Sequence, residues 1–122
     1  MKTTIKLKNP IKVDGKEVKE LPFDTDVFTL EELQRANKKI AKLKEITYVM
    51  ELDPDYQFIV ASLIVEKTSK NEISSEDLSR LKGTDLFTLT REGRNFLLES
   101  DEEVQENTEK QSEPTVESTE QE

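Results

Sequence analysis

The chain has 122 residues and a formal charge of −9, and it contains neither Cys nor His. That length fits one domain. Without Cys or His the chain cannot form a disulfide, a zinc site with thiolate or imidazole ligands, or a Ser-His or Cys-His nucleophile pair. No positive-then-apolar leader precedes the domain, and the longest apolar run, "FIVASLIV" (58–65), falls short of the ~20 residues that span a bilayer. We therefore expect a soluble cytoplasmic protein that does not enter a membrane.

Negative charge is concentrated at the carboxyl end. Residues 100–122, "SDEEVQENTEKQSEPTVESTEQE", hold nine acidic residues and one Lys, whereas residues 1–99 have a net charge of −1. This stretch has no aromatic residue and only two Val, too little apolar surface to offset the entropy of ordering. The sequence therefore predicts a folded domain over 1–99 and a disordered acidic tail over 100–122. The tail either keeps the protein soluble or binds a partner.

The segment "LKNPIKVDGKEVKELPF" (7–23) predicts a β-hairpin that turns at Asp14-Gly15. Asp-Gly between alternating apolar residues is typical of a type I′ turn, in which both central residues have positive φ. A two-residue loop pairs Val13 with Lys16, Ile11 with Val18 and Lys12 with Glu17. One face then carries Ile5, Leu7, Ile11 and Val13, and the other carries Lys6, Lys8 and Lys12.

Two residues do not fit this strict register. Leu21 and Phe23 fall on the lysine face, so we expect Pro10 and Pro22 to break the ladder and reset it.

The first helix is predicted to start after Thr29, because "TLEE" combines an N-cap Thr with Glu32 three residues later in a capping box. Its apolar residues recur at helical spacing: Leu30, Leu33, Ala36, Ile40 and Leu43. The following "ITYVMEL" (46–52) is ambiguous, since it fits a short strand, an extended connection or a continuation of the helix.

The second helix is predicted to start at "DPDY", where Asp53 caps the helix and Pro54 occupies its first turn. A stripe of five residues is the candidate partner-binding surface: Tyr56, Ile59, Val60, Leu63 and Ile64. Phe58, Ala61 and Val65 make the segment apolar nearly all round, which is typical of a helix that is central to a core or buried in an interface. Both alternatives, a groove wall and ordinary core, remain open at this point.

Two more units follow. "SSEDLSRLKG" (74–83) predicts a short helix capped by Ser74 or Ser75 and stopped by Gly83. "TDLFTLTREGRNFLLE" (84–99) predicts a helix, with a hairpin turning at 91–93 as the alternative. In the helix, Leu86, Leu89, Gly93, Phe96 and Leu97 share a face, and Gly93 permits close helix contact. The expected architecture is therefore α+β: an N-terminal β-hairpin packed on a small body of three to four helices.

No catalytic, cofactor-binding or metal-binding residues are assigned. Asp24 with Asp26, or Glu51 with Asp53 and Asp55, offer oxygen ligands, but neither run has the Gly and distal Glu of a calcium loop. The hairpin's six lysines at 2, 6, 8, 12, 16 and 19 suggest nucleic-acid binding, but acidic residues interleave and the domain lacks a basic excess. We expect a non-enzymatic protein that binds no nucleic acid.

Four phrases in fixed order carry a family resemblance: "IKLKNPIKVDGKEVKEL" (5–21), "FTLEELQRA" (28–36), "DPDYQFIVASLI" (53–64), and Leu78, Leu81 and Asp85 leading to "NFLL" (95–98). Together they resemble the small tail assembly chaperones of long-tailed bacteriophages, as found in Mu-like and P2-like phages. The match spans roughly residues 3–98. "LTREGRNFLL" is more polar than the family's pattern, and the long acidic tail departs from it.

The resemblance implies a non-catalytic phage or prophage protein of the host cytoplasm that takes part in tail morphogenesis. Such a chaperone coats the tape measure protein before tail tube subunits polymerise around it, and it is absent from the mature virion. The tape measure protein is thus the expected partner, with the tail tube protein and a second copy of the chain as further ones. Two alternatives are a small structural or adaptor protein of the phage tail and a regulatory protein that acts through its acidic tail.

Overall fold

The computed structural model describes residues 2–45 and 49–112, except for the side chains of residues 100–112. Within these residues, an antiparallel β-hairpin packs on four helices, which confirms the predicted α+β architecture. The elements in order are β1 (Lys2–Val13), β2 (Lys16–Asp24), α1 (Leu30–Leu43), α2 (Pro54–Thr68), α3 (Ser75–Leu78) and α4 (Thr84–Ser112), with 3₁₀ turns at Thr25–Val27 and Met50–Leu52.

The hairpin turns where the sequence predicts. Asp14 has a φ of 52° and Gly15 a φ of 80°, the two positive values that a type I′ turn requires. Ile11 pairs with Val18 and Lys12 with Glu17 on either side of that turn, as predicted.

The register then shifts within β1. After the Ile11–Val18 pair, the next regular pair is Lys6 with Glu20, so residues 7–10 lie opposite a single residue of β2. The shift turns Leu21 and Phe23 into the core, where both are fully buried. The predicted reset therefore occurs around Pro10. The same prediction is wrong for Pro22, which lies in regular register opposite Thr4.

A carboxylate from α4 satisfies the strand amides that this irregularity frees. Asp85 is buried, and its two oxygens accept hydrogen bonds from the backbone N–H groups of Lys8 and Asn9, at 2.9 and 2.8 Å. Buried strand amides without partners would be costly. Asp85 therefore stabilises the shifted register and joins the hairpin to α4.

Helix α1 starts at its predicted capping box, where the Thr29 N–H donates to Glu32 Oε1 at 3.1 Å. It ends at Leu43, so it does not continue through 46–52; residues 50–52 form a 3₁₀ turn, and residues 46–48 lie outside the described residues. Ala36 and Ile40 are buried as expected. Leu30 and Leu43 are 66% and 65% exposed, so the predicted apolar stripe of α1 is only partly a core face.

Helix α2 is the centre of the molecule. Asp53 caps it by accepting from the N–H groups of Asp55 and Tyr56, and nine of its residues are buried. The hairpin and the other three helices all contact it. An all-round apolar helix suits this position, because it has no face that must stay in water.

Residues 84–99 lie in helix α4, so the helix prediction is confirmed there and the alternative hairpin is wrong. Leu89 and Gly93 are buried as predicted, while Leu86, which was expected on the same face, stays 37% exposed. A Cβ atom at Gly93 would lie 2.1 Å from the Gln57 carbonyl oxygen, so only Gly allows this approach of α4 to α2.

The backbone of α4 is described as far as Ser112, past the boundary predicted at residue 99. Residues 113–122 lie outside the described residues. The domain boundary and the predicted disorder of the acidic tail therefore stay predictions.

Candidate partner-binding groove

The five predicted partner-binding residues lie in the hydrophobic core. Tyr56, Val60, Leu63 and Ile64 are all at least 97% buried, and Ile59 is 9% exposed. The Tyr56 hydroxyl donates to Asn37 Oδ1 at 3.0 Å and so joins α2 to α1. Core packing, one of the two alternatives that the sequence left open, therefore describes all five, and Ile59 also lines a surface concavity.

That concavity is a groove of about 380 Å³ between the second half of α1, the outer side of α2 and α3. Three of the residues that line it are apolar, Leu43, Phe58 and Ile59, and we refer to these three as its floor. The other lining residues are polar or charged: Lys39 and Lys42 from α1, Ser62 from α2, Ser75 and Glu76 from α3, and Ser79 directly after α3. We refer to this feature as the α1–α2–α3 groove.

Two of the hydroxyls in the groove are already engaged. Ser62 Oγ donates to the Phe58 carbonyl at 2.8 Å, and Ser79 Oγ donates to the Glu76 carbonyl at 2.6 Å. Small-molecule sites usually hold a few convergent polar groups that fix the ligand's orientation. Since these hydroxyls are directed to their own helices, the groove offers an apolar surface rather than such a polar constellation.

The charged groups at the rim are asymmetric. Lys39 and Lys42 stand on the α1 side, three residues apart and therefore on neighbouring turns, and Glu76 stands on the α3 side. Within the described part of the chain, none of these three side chains has an ion-pair partner. Their charges are available to a bound molecule.

Ion pairs at both ends hold α1 against α2, two of the three helices that line the groove. At one end Lys67 Nζ lies 3.1 Å from Glu32 Oε2, and at the other Lys44 Nζ lies 2.8 Å from Asp53 Oδ2. The hydrogen bond from Lys44 to Asp53, followed in importance by the one to Asp55, raises the pKa of Lys44 above its usual range.

Glu32 is buried, yet it stays ionised. Burial by itself raises the pKa of this carboxyl, but hydrogen bonds from Thr29 and Lys67 outweigh that effect and lower the pKa to about 2. A buried carboxylate with this many partners is charged at neutral pH and depends on every one of those partners.

The α3 wall is short but well anchored. Ser74 and Asp77 form a reciprocal capping box, with Ser74 N–H to Asp77 Oδ2 at 2.9 Å and Asp77 N–H to Ser74 Oγ at 3.1 Å. The backbone hydrogen bond from Ser74 is the main cause that lowers the pKa of Asp77. Leu78 is fully buried beneath the wall. Of the two predicted caps, Ser74 is therefore the actual one.

Sequence reasoning missed the residues that make the groove a surface feature. Leu43 was noted only as part of the apolar stripe of α1, and Phe58 only as part of an all-round apolar helix, whereas both line the groove. Further large apolar side chains outside the groove are at least one-third exposed: Leu30, Leu33, Val49, Leu52, Leu86 and Phe87. The signal for Leu43 was its place in the last turn of α1, beyond the last buried residue, Ile40.

Two of the acidic residues considered as metal ligands, Asp24 and Asp53, have structural roles. Asp24 accepts from the Asp26 N–H at 3.0 Å, and Asp53 caps α2 while it pairs with Lys44. Among residues 2–45 and 49–99, no group of three or more His, Cys, Asp or Glu side chains is placed to hold a metal ion.

The lysine face of the hairpin is matched by acidic residues. The register places Lys6 opposite Glu20 and Lys12 opposite Glu17. Such cross-strand pairs compensate each other's charge. This part of the hairpin therefore carries charges of both signs.

Of the helices within the described ranges, none combines the length and apolar character needed to cross a membrane. Comparison with protein-family models, with curated proteins and with solved structures finds no match for this chain. Its function must therefore be inferred from its own residues.

Proposed function

We propose that this protein is a phage tail assembly chaperone, which binds the tape measure protein in the host cytoplasm and keeps it soluble until the tail tube forms around it. The protein leaves before the virion is complete. The proposal starts from the order of sequence phrases over residues 3–98 that resembles this family. It assigns no catalytic role to any residue.

The single structural observation that supports the proposal is the α1–α2–α3 groove. Leu43 is 65% exposed beside Phe58 and Ile59, so the groove combines an exposed apolar side chain with two that also pack in or against the core. A tape measure protein is long and largely helical, with apolar stripes that would otherwise associate with one another. Grooves of this kind accept the apolar side of an amphipathic helix.

The groove is also small, which suits a chaperone that must release its partner. One shallow groove of about 380 Å³ contributes little affinity by itself. Several copies along one partner chain can nevertheless cover its apolar stripe and then be displaced one at a time.

The test is co-expression with the tape measure protein encoded beside this gene. We expect the tape measure protein to move from the insoluble to the soluble fraction and to co-purify with several copies of this chain. The complex should survive moderate salt, because apolar contacts are not screened by ions, whereas binding through surface charges weakens.

Two matched variants locate the contact. Leu43→Gln and Leu30→Gln each remove an exposed Leu from α1, at 65% and 66% exposure, without adding charge or losing helix propensity. Only Leu43 lines the groove. We expect Leu43→Gln to lower the yield of soluble tape measure protein and Leu30→Gln to leave it unchanged, with circular dichroism showing that both variants are folded.

If wild-type protein neither solubilises the tape measure protein nor forms a complex with it, the chaperone proposal is wrong. Detection of the chain in purified virions would then favour a tail adaptor.

A further inference from the structure

We infer that the α1–α2–α3 groove selects amphipathic helices whose apolar stripe is bordered by acidic residues on one side and by neutral or basic residues on the other. The inference deepens the proposed function and takes from it only that the partner is helical. It concerns the chemistry of the recognised segment, which the resemblance does not supply.

Charge complementarity carries the inference. Lys39 and Lys42 flank the apolar floor on the α1 side and have no ion-pair partner among the described residues, whereas the α3 side offers the carboxylate of Glu76. A helix whose apolar side rests on the floor places its two flanks against these two unlike walls. Acidic residues toward α1 gain ion pairs, and acidic residues toward Glu76 are repelled.

The asymmetry also fixes the direction of the bound helix. When a helix is reversed in a groove with its apolar side still facing the floor, its left and right flanks exchange walls. A helix with acidic residues on one flank therefore fits the α1–α2–α3 groove in one direction. Charge interactions at the edges of a binding site affect specificity more than affinity.

The experiment uses the full-length chain and fluorescein-labelled peptides of about 18 residues, long enough to form a helix on binding. Three peptides share one apolar stripe and differ in their flanks: acidic on one side and Lys on the other, Lys on both, and Gln on both. Fluorescence anisotropy at low and physiological salt gives their affinities. We expect the acidic-flanked peptide to bind roughly 3- to 10-fold more tightly than the Gln peptide, and the Lys peptide more weakly than either.

Two charge reversals on α1 provide the matched control. Lys42 lines the groove, while Lys38 is also exposed but is not among the residues that line it. Lys42→Glu should lower the affinity for the acidic-flanked peptide by roughly 3- to 10-fold and raise the affinity for the Lys peptide. Lys38→Glu should change either affinity by less than about twofold. Equal effects of the two reversals would show that overall charge governs binding and would overturn the inference.

The outcomes separate the inference from the proposed function. If the tape measure protein is solubilised but the three peptides bind equally, the inference fails and the chaperone function stands. If the acidic-flanked peptide binds in a manner sensitive to Leu43→Gln while the tape measure protein stays insoluble, the inference stands and the function fails. If a peptide of residues 100–122 displaces the labelled helix as well as the unlabelled acidic-flanked peptide does, the chain's own acidic stretch is the occupant, and the inference is overturned.

Discussion

Replacing Gly93 by Ala should destabilise the protein, although Ala is the better helix former. The added Cβ would lie 2.1 Å from the Gln57 carbonyl oxygen and 3.1 Å from the Ala61 Cβ, where ordinary contact begins at 3.4 Å. A backbone carbonyl cannot rotate away as a side chain can. Helices α2 and α4 would therefore have to separate locally by about 1 Å or more, in the middle of the core.

The magnitude follows from two opposed effects. Gly→Ala in a helix interior gains roughly 1 kcal/mol in helix propensity. Overpacking typically costs about 1–3 kcal/mol and occasionally more, and a contact this short with backbone lies at the upper end. We expect a net loss of about 2 kcal/mol in the free energy of unfolding, which lowers the melting temperature of a domain of this size by roughly 10 °C.

Urea unfolding followed by circular dichroism measures this loss, with Arg94→Ala as the control on the exposed neighbouring position of the same helix. The control should stay within about 0.5 kcal/mol of wild type. A second variant, Ala61→Gly in the Gly93→Ala background, removes the side-chain contact but not the carbonyl contact, so it should restore little stability. If Gly93→Ala equals or exceeds wild-type stability, helix propensity dominates and the close approach of α4 to α2 does not exist.

Other predictions concern the hairpin, the buried ion pair and the acidic tail. Asp85→Asn should lower the free energy of unfolding by about 1–3 kcal/mol and speed hydrogen exchange of the Lys8 and Asn9 backbone N–H groups. The reason is that Asp85 accepts one of these bonds with each carboxylate oxygen, whereas the Asn side chain has a single acceptor oxygen. Unchanged exchange would contradict that role. Gly15→Val should lower the free energy of unfolding by about 1–3 kcal/mol, because φ is 80° at this position. No atom lies within 4 Å of the added Cβ, so backbone strain is the only cause of this cost, and a silent substitution would exclude the type I′ turn. The pKa of Glu32 falls from 4.5 to about 2 on folding, so its contribution of about 1–3 kcal/mol to stability is complete above pH 4.5 and is lost as the pH falls toward 2. The stability difference between wild type and Glu32→Gln should therefore shrink over that range. A difference that does not change with pH would refute the ion pair with Lys67. Deleting residues 100–122 should leave the melting temperature nearly unchanged, and a large decrease would show that this stretch packs on the domain.

Local signals in the sequence predicted most elements correctly. Thr29 with Glu32, and Asp53 with Pro54, mark helix starts that the structure adopts, and Asp14-Gly15 marks the turn of the hairpin. Each signal depends on hydrogen bonds or φ values within a few consecutive residues. Such preferences are similar whatever the rest of the chain does, and for that reason they can be recognised without the fold.

The candidate site could be predicted only in part. The sequence correctly marked α2 as unusually apolar, but it left open whether Tyr56, Val60, Leu63 and Ile64 form a partner-binding surface or ordinary core, and all four are buried. Periodicity shows which residues share a side of a helix, but it does not show how many neighbours that helix has. Since the hairpin and three helices surround α2, almost none of its surface is left for a partner.

The sequence by itself determined the turn, the caps and the alternation of apolar residues in this protein, because these follow from short-range backbone chemistry. The tertiary structure decided the rest. The shifted register of β1 is stabilised by Asp85, which is 76 or 77 residues away from the amides it binds, and Leu43 in the last turn of α1 stays exposed where α1, α2 and α3 line the groove. Both outcomes depend on which distant elements meet, and burial and hydrogen-bond satisfaction are settled only when they do.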